Sequence, residues 1–340
     1  IPYDGGTEAL QLLDRVATLR AAPRIPYAPV GWSKCTPCGF FSRCWPSALK
    51  RHDAALVVGV DQDLARTLRE DGIHTYQALL GRFDETGLAA FVKRTERGPQ
   101  RVGKRAAEIL RSARALAAGE ETVLSAPDLP GGGKAVMFDL EGLPPHCDEL
   151  QKIYLWGTRL YTDRPGPYRA ALAGFDVAGD RLGWETFLDH ARDLFEDHGD
   201  VPFVHWAAYE KTHLRLYIER YGDPNGIGTR VLNNCFDLLE EVKRCRVLPL
   251  PSYGLKIVED YVGFRRSQDT YGGDWSIAKY IEAVETRDAD RRSELMEAIK
   301  IYNREDLEAT WAVWSWLGSV DANSTSRRAS RPARAAGGRG

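Results

Sequence analysis

The chain has 340 residues, of which 43% are hydrophobic and 28% charged, and its formal net charge is −2. That length has room for two domains of about 100–200 residues each, and the composition is that of an ordinary soluble globular protein. No apolar run approaches the ~18 residues of a membrane helix, and with the total charge near zero any nucleic-acid contact has to come from local charge.

The first residues, Ile1–Pro2–Tyr3–Asp4–Gly5, carry no initiator Met and resemble neither a signal nor a transit peptide. An internal start with sequence missing upstream is therefore expected. Six Cys without an export signal point to a reducing, cytoplasmic setting, where clustered thiols more often meet a metal than each other. Thr7–Arg20 has the spacing of an amphipathic helix, and Pro23, Pro26 and Pro29 then forbid regular helix. Cys35, Cys38 and Cys44 follow in a C-x2-C-x5-C run, whose tight turn brings thiolates toward a common ion. Three thiolates are one short of a full set, so free loop thiols, a zinc site and an iron–sulfur cluster all stay open on the residues alone.

From Leu56 to Leu116 the pattern predicts short helices at Gln62–Glu70, Thr75–Leu80, Leu88–Thr95 and Lys104–Leu116, separated by Gly-bearing turns. Arg101–Val102–Gly103–Lys104 reads as a helix–hairpin–helix-like turn, with a following helix N-terminus able to offer N–H groups to a phosphate. Between Lys93 and Ala115 eight basic residues (Lys93, Arg94, Arg97, Arg101, Lys104, Arg105, Arg111, Arg114) stand against Glu96 and Glu108. Such an excess suits a phosphate-binding face, with a solvated helix surface as the plain alternative.

Residues 118–134 have the Pro and Gly content of a linker. Beyond it the predicted order is strand (Ala135–Glu141), strand (Lys152–Leu160), weaker strand (Tyr168–Asp176), helix (Trp184–His198), strand (Val201–His205), helix (Tyr209–Tyr221), a short strand or strand–helix (Cys235–Val242), then helices. Strands first and alternation later predict an α/β domain with a mixed sheet flanked by helices. The tail 319–340, with five Arg and no apolar period, reads as a disordered basic segment.

The first strand of that domain carries the chemistry. Asp139 and Glu141 lie two positions apart and project from one face, while Phe138 and Leu140 point to the other. Two carboxylates side by side call for a cation, a shared proton or open water. Tyr302 and Asp306 stand one turn apart on a helix far downstream, and Glu210 opens a helix after the strand ending in His205. Carboxylates from separate segments holding two divalent ions about 4 Å apart are what metal-assisted phosphodiester hydrolysis requires. At a helix start Glu210 also serves simple dipole compensation. Asp237 reads first as a helix cap. His205 suits a base or phosphate contact, or a core place. Lys256 suits a substrate phosphate, or a plain amphipathic surface. Trp311, Trp314 and Trp316 read as core packing of the last helix, and Cys147, Cys235 and Cys245 as structural.

Phe138–Glu141, Val204–Glu210 and Tyr302–Asp306 resemble the three exonuclease motifs of the DEDD superfamily, with its ribonuclease H-like fold. More narrowly, residues 135–317 resemble the YprB-like ribonuclease H-like domain at the C-terminal end of a group of RecB-like nucleases. The Tyr-x3-Asp spacing is similar to the DEDDy subgroup. The resemblance implies that Asp139, Glu141, Glu210 and Asp306 hold two Mg2+ or Mn2+ ions, and that Tyr302 orients the attacking water. Glu210 departs from the Asp usual at its position. The activity implied is 3′–5′ exonucleolytic cleavage of DNA or RNA that is single-stranded or has a free end. The Cys run is similar to the Cys tail of RecB-like nucleases, which implies a [4Fe-4S] cluster lacking its upstream ligand. The resulting domain expectation is 1–54 Cys-bearing connector from a truncated RecB-like domain, 55–117 helical region with Arg101, Lys104 and Arg105 toward nucleic acid, 118–134 linker, 135–318 nuclease domain and 319–340 tail. An inactive nucleic-acid-binding module or a scaffold is the rival reading.

Overall fold

The structure, a computed structural model, describes residues 5–23, 27–145, 147–148, 150–268 and 272–319. The expected tail, but for Ser319, lies outside the described residues. The chain divides into two compact units, one ending at Gly119 and the other beginning at Glu120.

The first unit is mostly helical: α1 (Thr7–Ala21), α2 (Trp32–Cys35), α3 (Phe41–Arg51), α4 (Gln62–Glu70), α5 (Tyr76–Arg82), α6 (Glu85–Ala90), the hairpin β1 (Val92–Thr95) and β2 (Gly98–Arg101), then α7 (Ala106–Ala118). Local chemistry sets several starts: the side chains of Asp61, Thr75 and Asp84 accept hydrogen bonds from the N–H groups of Leu64, Ala78 and Gly87, which caps α4, α5 and α6. Leu64, Leu68, Leu79 and Ile109 are fully buried in the core that these helices share. α1 buries none of its residues. The helix expected over Leu88–Thr95 is a correction: α6 stops at Ala90, and Val92–Thr95 pairs antiparallel with Gly98–Arg101. The β-branched Val92 and Thr95 favour the strand, with partners at Arg101 and Gly98 across a short turn.

The second unit carries β3 (Thr122–Val123), β4 (Ala135–Gly142), β5 (Ile153–Tyr161), β6 (Pro165–Leu172), α8 (Val177–His198), β7 (Phe203–His205), α9 (Tyr209–Tyr221), α10 (Ile227–Asn233), β8 (Cys235–Asp237), α11 (Leu238–Cys245), β9 (Arg246–Val247), α12 (Leu255–Val262), α13 (Gly273–Glu285) and α14 (Ala289–Ser319). Five strands form one mixed sheet in the order β6-β5-β4-β7-β8. β4 pairs antiparallel with β5 and parallel with β7, and β7 runs parallel to β8. Within the stretch expected to be a linker, Thr122–Val123 pairs with Arg246–Val247.

The two faces of β4 meet different partners. Phe138 and Leu140 join Trp156, Trp184, Phe187 and Phe203 in a buried core, with the Phe138 and Phe187 rings stacked 5.2 Å apart. The opposite face lies under α14, which crosses β4 and β5. Because β4, β7 and β8 are parallel, their C-terminal ends reach one rim of the sheet, the place where open α/β sheets offer a crevice.

Candidate functional site

Asp139 and Glu141 project from β4 toward α14, as the two-residue period of a strand requires. On α14, Asp306 faces them. One carboxylate oxygen from each of Asp139, Glu141 and Asp306 lies within 4.8 Å of the other two. Glu141 is 6% exposed and Asp306 5%. Ionised carboxylates about 4 Å apart repel by about 4 kcal/mol per pair at an effective dielectric of ~20. Burial, then the charges of Asp306 and Glu210, push the Asp139 carboxyl well above the usual carboxylate range, and Lys256 and Arg266 oppose this. Burial, then Asp139 and Asp306, push Glu141 the same way.

Glu210, in the first turn of α9, stands beside this group and outside the three. It is 3% exposed, and its Oε2 lies 3.5 Å from His205 Nδ1 without a hydrogen bond among the described residues. Burial raises its carboxyl to about 8; a backbone N–H opposes the rise, while Asp237 and Asp306 add to it. His205 is fully buried, with Nδ1 2.5 Å from the Ala207 carbonyl, so it is a core residue with no face for a polymer. Burial lowers its pKa, and because the Ala207 carbonyl can only accept, Nδ1–H is the donor in that contact. Asp237 caps α11 through the Glu240 N–H and also accepts from the Ala207 N–H, which holds the turn between β7 and α9 at its positive-φ residue, Ala207.

Asn303 was not singled out in the sequence, although it adjoins Tyr302. It is fully buried, donates from Nδ2 to Asp139 Oδ2 at 2.7 Å, and accepts from the Tyr168 hydroxyl at 2.9 Å. Gly157, paired with Asp139 across β4 and β5, makes this contact possible, because a Cβ there would overlap the Asn303 amide. Arg266 was missed too. It forms two hydrogen bonds to Glu259, at 2.6 and 2.7 Å, and pairs with Asp306 Oδ1. Lys256 pairs with the same Asp306 oxygen, so this expected phosphate contact lies inside the acidic group. Its Nζ also sits 4.6 Å from the centre of the Tyr302 ring. Tyr302 is 4% exposed, and burial followed by the charges of Asp306, Glu141 and Asp139 drives its phenol far up, so it stays protonated. The Tyr209 phenol, raised by burial and by Glu141, Glu210 and Asp139, approaches from the start of α9.

Three carboxylates and no nitrogen or sulfur donor make an oxygen-only set suited to a hard divalent ion such as Mg2+ or Mn2+. Among the described residues no other three His, Cys, Asp or Glu side chains bring ligand atoms this close. Cys35, Cys38 and Cys44 are therefore not gathered on one point. The Cys35 thiol is buried and accepts from the Val30 N–H, whereas Cys38 is exposed on the turn before α3. The basic excess of the first unit is also smaller in space than in sequence. Lys93 and Arg105 pair with Asp61 at 2.5 and 2.8 Å, and Arg94 pairs with Glu70 and Asp71. Arg101 and Lys104 are exposed. Among the described residues no helix is long and apolar enough to cross a membrane.

A family model of the RNase H superfamily matches residues 136–318, a span that includes all three clustered carboxylates and Glu210. No curated protein and no solved structure matches the chain.

Proposed function

The chain belongs to the RNase H superfamily, and from that premise we propose that its second unit is a divalent-metal-dependent nuclease that hydrolyses phosphodiester bonds of DNA or RNA. The mixed five-stranded sheet flanked by helices fits the RNase H-like fold. The observation that carries the reading is the convergence of Asp139, Glu141 and Asp306 within 4.8 Å. Burying like charges together raises the energy of the fold, and a cation offsets that cost.

Asp139, Glu141 and Asp306 would hold the ion, and a bound divalent ion supplies Lewis acidity for water activation and neutralisation of the phosphate. The chain's own residues do the rest. Asn303 donates to Asp139 Oδ2 and would hold that carboxylate in orientation for the ion. Tyr302 keeps its proton and donates a hydrogen bond to an incoming water or phosphate oxygen. Lys256, 32% exposed at its side chain, is the cation nearest to solvent in the group. The Tyr302–Asp306 spacing and the three motifs support exonucleolytic action from a 3′ end as the finer reading.

The rival, an inactive nucleic-acid-binding module, draws on one observation: Asp306 is already paired with Lys256 and Arg266. End-labelled single-stranded DNA and RNA incubated with Mn2+, Mg2+ or EDTA decide between them. Metal-dependent cleavage that disappears in Asp139→Asn and Asp306→Asn supports the nuclease. Intact substrate in every lane, with retained binding, supports the rival.

A further inference from the structure

Tyr168, which donates to Asn303, also forms one wall of a groove between the edge strand β6 and α14. On β6, Tyr168, Ala170 and Leu172 share the sheet face that carries Asp139, because they pair with Arg159, Gly157 and Leu155, and Gly157 pairs in turn with Asp139. On α14, Glu297, Lys300, Ile301 and Arg304 recur at helical spacing along one side. The groove between these two rows has a volume of about 330 Å³, at the small end of the ~300–1,000 Å³ typical of small-molecule sites. Its chemistry has two parts. Ala170, Leu172 and Ile301 are half-buried and supply an apolar floor beside the Tyr168 ring. Lys300 and Arg304, 32% and 42% exposed at their side chains, set two cations against one acid, Glu297. Among the described residues their ion pairs face solvent: Lys300 meets exposed Glu297 at 2.8 Å, and Arg304 meets Glu308 at 3.9 Å. Glu308 already accepts from Arg159 at 2.7 Å, so the Arg304 guanidinium is loosely engaged. Exposed pairs of this kind contribute little and exchange for a stronger anion.

A phosphate is such an anion, since a guanidinium binds it through parallel N–H groups and an ammonium meets it as a point charge. We propose that this groove binds one nucleotide, with the phosphate on Lys300 and Arg304 and the base against Ala170, Leu172, Ile301 and the Tyr168 ring. The apolar floor and the cationic rim match the two halves of that ligand. Neither Asp139, Glu141, Glu210 nor Asp306 lines the groove, so binding there needs no metal ion. The two sites are nonetheless close: Tyr168 donates to Asn303 at 2.9 Å, and Asn303 donates to Asp139 Oδ2 at 2.7 Å. The nucleotide is a free 5′-monophosphate or one unit of a bound strand, and the same chemistry serves both.

The choice of a nucleotide rests on the nuclease reading, but its test needs no cleavage. The full chain in EDTA is titrated calorimetrically with AMP, adenosine, inorganic phosphate and a short single-stranded oligonucleotide. AMP, the oligonucleotide or both should bind more tightly than adenosine or phosphate alone. Arg304→Gln and Lys300→Gln, each checked for folding by thermal melting, should weaken that binding about 10–100-fold, the range for a lost hydrogen bond to a charged group. Ala170→Leu, which fills the groove, should abolish it. AMP binding assigns the groove to a free nucleotide, and binding of the oligonucleotide alone assigns it to the strand. Absence of binding by both, or binding that Arg304→Gln and Lys300→Gln leave unchanged, overturns the inference; metal-dependent cleavage by the same preparation then keeps the nuclease reading. AMP binding by a chain that cleaves nothing keeps the groove and counts against the nuclease.

Discussion

Asn303 reaches from α14 to Asp139 on β4, a hydrogen bond of 2.7 Å between residues 164 positions apart. It aims a carboxylate that burial and neighbouring charge would otherwise leave free to turn. Asn303→Ala should therefore weaken Mn2+ binding by about 10–100-fold, the range for groups that orient a metal ligand. Calorimetry reads this directly, and Tyr168→Phe, which removes the donor to Asn303, should give a smaller loss in the same direction.

Gly157→Ala places a methyl group where the Asn303 amide lies. The expected cost is about 1–3 kcal/mol of stability from overpacking. Denaturant unfolding measures it, and Gly157→Ala combined with Asn303→Ala should recover part of the loss because the clash is removed.

Glu210 gives the metal-free protein a pH dependence of defined sign. Its carboxyl is raised from 4.5 to about 8, so between those values the folded state holds a proton that the unfolded state has released. Stability contributed by that proton is present at low pH and is lost as pH rises toward 8. Glu210→Gln should melt close to wild type near pH 5 and above it at pH 8, as followed by thermal unfolding in EDTA.

Asp139→Asn removes one of three crowded acids. In EDTA at pH 8 it should melt above wild type, because burial and repulsion already hold Asp139 away from ionisation. Mn2+ should raise the wild-type melting temperature, since a ligand selective for the folded state stabilises it, and should leave Asp139→Asn unmoved.

In the first unit, Arg101→Ala and Lys104→Ala should weaken binding to single-stranded nucleic acid and lower its salt slope, with little change in melting, because both side chains are exposed. Asp61→Ala should act otherwise. It removes the α4 cap and the partner of Lys93 and Arg105 together, so a stability loss of about 1–2 kcal/mol is expected.

Much of the second unit was legible because its signals are local. The two-residue period of β4 gives the shared face of Asp139 and Glu141, and the helix Tyr209–Tyr221 has the bounds read from the sequence. What the chain hides is set by contacts distant in sequence. Arg266 meets Asp306 from 40 residues away, and nothing in its neighbourhood announces an ion pair. Gly157 reads as one more residue of an apolar strand, although its missing side chain is what admits Asn303. The basic count over residues 93–115 was inflated because Asp61, Glu70 and Asp71, which neutralise part of it, belong to α4 and its flanks. His205, read as either a base or phosphate contact or a core residue, is buried on β7, an interior strand of the sheet.

Tyr302, Asn303 and Asp306 all ride on α14, the final described helix, while Asp139 and Glu141 belong to the opening strand of the sheet. During synthesis the early acids therefore emerge long before Asp306, and a nascent chain halted ahead of α14 owns two of the three clustered carboxylates. Completion of the three-carboxylate cluster is therefore tied to docking of that helix.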